Sequence, residues 1–128
     1  MGDRIRVVLV EDNEVFRKTL ELLLELRGRI EVVASVGTGA EAIEACTRLD
    51  VDVAVVDYRM PGLDGIQTAA GILSVSPGTD VVCLTASIPP GEVKLILEAG
   101  AVACITKDEE LDRIVAAIHA AAAPGGVA

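Results

Sequence analysis

Short apolar runs alternate with stretches of helical period from one end of the chain to the other. Ile5-Arg6-Val7-Val8-Leu9-Val10 is rich in β-branched residues and stops at two acids, which predicts a strand. Phe16, Leu20, Leu23 and Leu24 then recur at helical spacing, and Arg27-Gly28 ends that helix. Ile30 to Val36 reads as a second strand, and the polar Glu31 and Ser35 inside it predict a place at a sheet edge. Thr38 with Glu41 three residues on is a capping-box pattern, and Ala42, Ile43 and Cys46 give the next helix its apolar face. Val51 to Val56 is apolar except for Asp52, as suits a strand covered on both faces of a parallel sheet. It runs into Asp57 and the breakers Met60-Pro61-Gly62.

The same alternation continues. Asp64 is placed to cap a helix whose face is Ile66, Ala69, Ala70 and Leu73, and Pro77-Gly78 breaks it. Val81-Val82-Cys83-Leu84 is a strand ending at Thr85. Pro89-Pro90 starts a helix over Val93, Ile96 and Leu97, and Gly100 stops it. Ala101 to Ile105 is a weaker strand closed by Thr106-Lys107. Asp108 is placed to cap a last helix with Leu111, Ile114, Val115 and Ile118 on one stripe. A strand–helix unit repeated five times predicts one α/β domain, a doubly wound parallel sheet with helices on both faces and right-handed crossovers. The domain is expected over residues 1–123, with Pro124-Gly125-Gly126 in residues 124–128 reading as the start of a linker.

Composition narrows the function. The chain has 128 residues, 52% of them hydrophobic but only 2% aromatic, so aliphatic residues and alanine must build the core. Its net charge of −9 lacks the excess of lysine and arginine that neutralises phosphates, which argues against nonspecific nucleic-acid binding. No apolar run approaches the roughly 20 residues of a membrane span, and the first residues show no apolar signal segment. A cytoplasmic protein with no membrane partner is expected. Cys46, Cys83 and Cys104 are widely spaced in apolar runs, which suits buried reduced thiols better than disulfides or a zinc site.

In such sheets ligands sit beyond the C-terminal ends of the strands. There the pattern places Glu11 and Asp12 after the first strand, Asp57 after the third, Thr85 at the end of the fourth and Lys107 after the fifth. Two like charges about 4 Å apart repel by about 4 kcal/mol at an effective dielectric near 20, so the clustered acids need a counterion. Hard oxygen ligands in this number suit Mg²⁺. A carboxylate in such a site can take a phosphoryl group as an acyl phosphate, with a hydroxyl and an ammonium on the phosphoryl oxygens. Asp57 is then the nucleophile, Asp12 a direct metal ligand and Glu11 an outer-shell or water-mediated one. Thr85 and Lys107 bind the phosphoryl group. Each of these residues alone has an ordinary structural role, as a cap, turn, strand-end or solvated residue; their convergence from four strands carries the signal. Asp50, Asp52, Asp64 and Asp80 read as solvated or capping residues, and His119 as an exposed helical histidine.

The segments Leu9-Val10-Glu11-Asp12-Asn13, Val55-Val56-Asp57-Tyr58-Arg59-Met60-Pro61-Gly62-Leu63-Asp64-Gly65, Leu84-Thr85-Ala86 and Ile105-Thr106-Lys107-Asp108 resemble the receiver domain of two-component response regulators, the CheY-like family. The resemblance spans Ile5 to about Ala123. It implies a flavodoxin-like five-stranded sheet of order 2-1-3-4-5. It also implies Mg²⁺-dependent transfer of a phosphoryl group to Asp57 from the phosphohistidine of a sensor histidine kinase. The backbone carbonyl of Arg59 would be a further metal ligand. Asp57-Tyr58-Arg59-Met60-Pro61-Gly62 and Lys107-Asp108 are similar to the NarL/FixJ, LuxR-type subgroup. Its members regulate transcription through a C-terminal helix-turn-helix, so DNA would be reached only through a module outside this chain. Homodimers on phosphorylation are common in the family. The chain itself would be no enzyme beyond its own phosphorylation and dephosphorylation.

Two features depart from or qualify the family pattern. Cys104 stands where receivers carry the aromatic ring that turns with the Thr85 hydroxyl, so the Thr85 half of the switch is kept and the ring is not. The cysteine reads either as a small packing residue or as a redox-sensing thiol. Arg59 and Ser87 occupy positions that tune dephosphorylation in the family, or are simply exposed. Other readings are a degenerate receiver serving as a protein-interaction module, an aspartate phosphatase and a flavin carrier. The basic Arg59 weighs against the phosphatase and the scarcity of aromatics against the flavin.

Overall fold

The computed structural model describes residues 4–87 and 89–123, so the linker expected at 124–128 lies outside the described residues. Ten elements alternate along the chain: β1 Ile5–Val10, α1 Glu14–Leu26, β2 Ile30–Val36, α2 Gly39–Arg48, β3 Val53–Asp57, α3 Gly65–Val75, β4 Asp80–Thr85, α4 Pro90–Glu98, β5 Ala101–Thr106 and α5 Leu111–Ala122. The strands form one parallel sheet in the order β2-β1-β3-β4-β5, as the repeated unit implied. β2 takes an edge, matching its interspersed polar residues.

Alternation along each central strand sorts side chains to two cores. Val8, Val10, Ala54, Val56, Val81 and Cys83 face α2, α3 and α4, where Ala42, Ala69, Ile72 and Ile96 meet them. Val7, Leu9, Val53, Val55, Val82 and Leu84 face α1 and α5, against Leu20, Leu24, Ile114 and Ile118. All of β3 is buried, which is why it reads as an unbroken apolar run ending in an acid. Each such valine contributes about 1.5–3 kcal/mol of burial, so β3 cannot leave the centre cheaply.

Three local details differ from the sequence expectation. β3 begins at Val53 instead of Val51. Thr38 caps α2 by accepting from the Glu41 amide at 3.1 Å, but Glu41 returns the bond to the threonine hydroxyl and not to its backbone. Asp108 does not cap α5. That helix starts after Glu110 with no side-chain cap, and Asp108 instead accepts a hydrogen bond from the Thr106 hydroxyl. The full capping box is at α3, where Asp64 and Gln67 satisfy each other's backbone amides. Among the described residues no helix is long and apolar enough to cross a membrane.

The order reverses between β1 and β3: the chain leaves β1 toward β2 on one side and returns through β3 on the other. The cleft at that reversal is where loops part and a ligand has room. Glu11, Asp12 and Asp57 are at this cleft.

Candidate phosphoryl-acceptor site

The site is built by strand ends and the turns that follow them. After β1 the chain must enter α1 at once. Asn13 caps α1, its side chain accepting from the Phe16 amide at 2.9 Å, and its own amide donates to Glu11 Oε2 at 2.9 Å. Glu11 is thereby held inward, only 2% exposed, while Asp12 faces solvent. The Arg17 guanidinium reaches back from α1 to the Glu11 carbonyl at 2.8 Å.

Asp57 is delivered by the buried β3 and is 6% exposed. The turn after it doubles back tightly. The Gly65 amide donates to the Tyr58 carbonyl at 2.7 Å, and a Cβ at Gly65 would fall 2.7 Å from Tyr58 Cα. Gly62 holds a φ of +82°, a conformation that favours glycine. These two glycines let α3 start directly against the residue that follows Asp57.

Carboxylate oxygens of Glu11, Asp12 and Asp57 all lie within 4.8 Å of one another. The Lys107 ammonium enters this cluster from the end of β5, 2.5 Å from Glu11 and 3.4 Å from Asp57. The Phe16 ring lies under the same ammonium, 4.7 Å from it. The Lys107 amide also donates to the Thr85 carbonyl at 2.7 Å, tying the ends of β4 and β5 together.

Burial pushes the Asp57 carboxyl up to about 6, and the Glu11 charge pushes the same way; Lys107 and the Arg59 backbone amide oppose this. Lys107 is raised by its two carboxylate neighbours against an opposing effect of burial. One ammonium, paired with Glu11 and Asp57, therefore stands against a cluster of three acids, and the donor set is short of positive charge. Three convergent hard oxygens with one face open at Asp12 fit a small divalent cation such as Mg²⁺.

The remaining predicted residues are placed as follows. The buried Thr85 hydroxyl donates to the Ser87 carbonyl at 3.1 Å and is not bonded to Asp57. Ser87 and Arg59 are exposed, and the Arg59 guanidinium lies over the Tyr58 ring at 5.5 Å. Cys104 is half-buried and packs beside Cys83. His119 is exposed, away from the acids. Sequence reasoning missed Asn13, Phe16 and Arg17 as supports of the site, and Glu92 of α4, which accepts from the buried Tyr58 hydroxyl. An asparagine right after two acids and before a helix is a legible cap. The other three carry no local signal.

The sequence matches the family model described as the response regulator receiver domain over residues 7–119. It is 37% identical over 116 residues to the Mycobacterium tuberculosis protein named "Probable transcriptional regulatory protein NarL", covering 91% of this chain and 54% of that one. The chain thus spans about half the length of the curated relatives it first matches. It is also 38% identical over 109 residues to a protein-glutamate methylesterase/protein-glutamine glutaminase of Rhodospirillum rubrum, covering 84% of this chain and 28% of the enzyme. Receivers therefore also occur in proteins named as enzymes. Among solved structures, the signal receiver domain of the M. tuberculosis response regulator NarL superposes with a TM-score of 0.89 at 37% identity, covering 94% of this chain and 97% of that one. The match over nearly the whole sheet and all its strand ends makes this chain a member of the response regulator receiver domain family, of the NarL type.

Proposed function

We propose that the domain accepts a phosphoryl group on Asp57 from the phosphohistidine of a sensor histidine kinase, in a Mg²⁺-dependent reaction, and thereby controls transcription. The observation that carries the proposal is the convergence of the Glu11, Asp12 and Asp57 carboxylates at the reversal point of the sheet, with the Lys107 ammonium on Glu11 and Asp57.

Asp12 and Asp57 would ligate the cation directly, Glu11 through the outer shell, and the Arg59 carbonyl would complete the protein's share. The bound cation supplies positive charge beside the phosphoryl oxygens. The chain's own groups do the rest. An Asp57 carboxylate oxygen forms a bond to phosphorus as the phosphorus–nitrogen bond of the donor breaks, and the imidazole leaves with the bonding pair. Lys107 turns from the carboxylates to a phosphoryl oxygen. The Thr85 hydroxyl exchanges the Ser87 carbonyl for another phosphoryl oxygen. That exchange frees the segment after β4 to rearrange, with Cys104 leaving space where a ring would otherwise move. Arg59 and Ser87 flank the path of water to the acyl phosphate and set its lifetime. Residues 1–123 act as the receiver, and a helix-turn-helix module beyond them would carry any contact with DNA.

The test is labelling by acetyl phosphate, or by a cognate kinase, with Mg²⁺ present and after chelation. Label is expected on Asp57 only with the metal and is expected to vanish in Asp57→Asn and Asp57→Ala. Persistent full labelling of either variant contradicts the assignment.

A further inference from the structure

The register of β4 against β5 brings two cysteines face to face. Val81 pairs with Ala101, but Val82 pairs with Ala103, so Val102 is an extra residue on β5. An extra residue on one strand reverses the faces of everything beyond it. Without it Cys83 would pair with Ala103; with it, Cys83 is the direct partner of Cys104. Both side chains then enter the same core, Cys83 within it and Cys104 packed against it. Neighbouring strands lie about 4.7–4.9 Å apart, inside the roughly 4.4–6.8 Å Cα separation that a disulfide spans. Burial pushes the Cys83 thiol up, and the neighbouring Cys104 adds to it.

Access differs between them. Cys83 is 1% exposed. Cys104 is half-buried and opens on a cavity of about 280 Å³ shared with Thr106 and Arg113. Cys104 is therefore the more accessible of the two residues, and Cys83 the buried one paired with it.

We infer that Cys83 and Cys104 form a dithiol modification site, which a hydroperoxide converts to a disulfide joining β4 to β5. In the first step the Cys104 sulfur attacks a peroxide oxygen and the O–O bond breaks. The leaving hydroxide takes the thiol proton as water, and Cys104 becomes a sulfenic acid. In the second step the Cys83 sulfur attacks Cys104 sulfur and the S–O bond breaks. Hydroxide leaves with the Cys83 proton as a second water. Two thiols are oxidised by two electrons, and one hydrogen peroxide is reduced to two waters. The bridge lies two residues before Thr85 and three before Lys107, so oxidation ties together the strands that deliver the site's hydroxyl and its ammonium. The inference does not depend on phosphoryl transfer.

The test treats the reduced protein with a small excess of hydrogen peroxide. Titratable thiols are expected to fall from three to one per chain, with the mass of two hydrogens lost and no dimer formed. Trypsin is expected to release Met60–Lys94 joined to Leu95–Lys107, and dithiothreitol to separate them. Cys83→Ser is expected to stop at a sulfenic acid on Cys104 that a dione reagent traps. Cys46→Ser and Asp57→Asn are expected to form the bridge as the wild type does, so loss of labelling at Asp57 leaves this result intact. Oxidation of Cys104 to sulfinic acid with Cys83 still free, or a bridge that uses Cys46, overturns the inference.

Discussion

Replacing Asp57, the proposed phosphoryl acceptor, is expected to make the metal-free protein more stable. Asp57 is buried, faces Glu11, and is held up at about 6 against an ordinary value of 3.8. Its folded pKa is raised, so the folded state holds the proton more tightly than the unfolded chain. Below about pH 4 both states are protonated and Asp57 costs nothing. As pH rises from about 4 to 6 the unfolded state ionises first and stability falls; above 6 the whole cost remains. Raising the carboxyl from 3.8 to about 6 costs about 3 kcal/mol above pH 6. Asparagine removes the charge but gives up the contact with Lys107, which leaves a net gain of about 1–3 kcal/mol for Asp57→Asn near pH 7.5. With a urea slope of about 1–3 kcal/mol per molar, the midpoint moves up by on the order of 1 M. The assay is urea unfolding of both proteins in chelator, at pH 7.5 and at pH 4. The gain is expected at the first pH and absent at the second. Saturating Mg²⁺ is then expected to shrink the gain, because a cation at a hundred times its dissociation constant adds about 2.7 kcal/mol to the wild type and less to a variant lacking one proposed ligand. A variant less stable than wild type at pH 7.5 in chelator, or a difference independent of pH, would refute the placement of a strained carboxylate at Asp57.

Lys107→Met leaves Glu11 and Asp57 without their ammonium; a loss of about 2–4 kcal/mol near pH 7.5, partly regained near pH 4 as Asp57 protonates, is expected in urea titrations. Gly65→Ala drives a Cβ into Tyr58 backbone, so thermal unfolding is expected to fall by about 1–3 kcal/mol and labelling of Asp57 to slow, because the turn behind it must open. Tyr58 is the chain's single tyrosine, and its hydroxyl is pushed up to about 12 by its bond to Glu92 and by burial. Ultraviolet titration is expected to show phenolate forming only near that pH, and at markedly lower pH in Glu92→Gln; a midpoint near 10 in the wild type would show that the bond is not made.

Much of this protein is written in local pattern. Continuous apolar runs and period-3.6 stripes depend only on neighbours in sequence, so the ten elements are legible from the chain alone. The unbroken run through Val53 to Val56 identifies the central strand, because only a strand covered on both faces can carry no polar residue. Parallel strands all end at the same edge, so Glu11, Asp12, Asp57, Thr85 and Lys107 converge once the alternation is recognised. What the chain alone could not settle are relations between elements. Whether Asp108 caps α5 depends on where the helix starts; it starts at Leu111, and Asp108 is bonded to Thr106 instead. Phe16 beneath Lys107, Arg17 on the Glu11 carbonyl and Tyr58 on Glu92 are meetings of side chains from different elements, and no spacing along the chain encodes them. The pairing of Cys83 with Cys104 turns on a single extra residue at Val102, which shifts the β5 register by one and with it the face of every later side chain. Register is set by packing between strands, and that is decided only when the sheet is assembled.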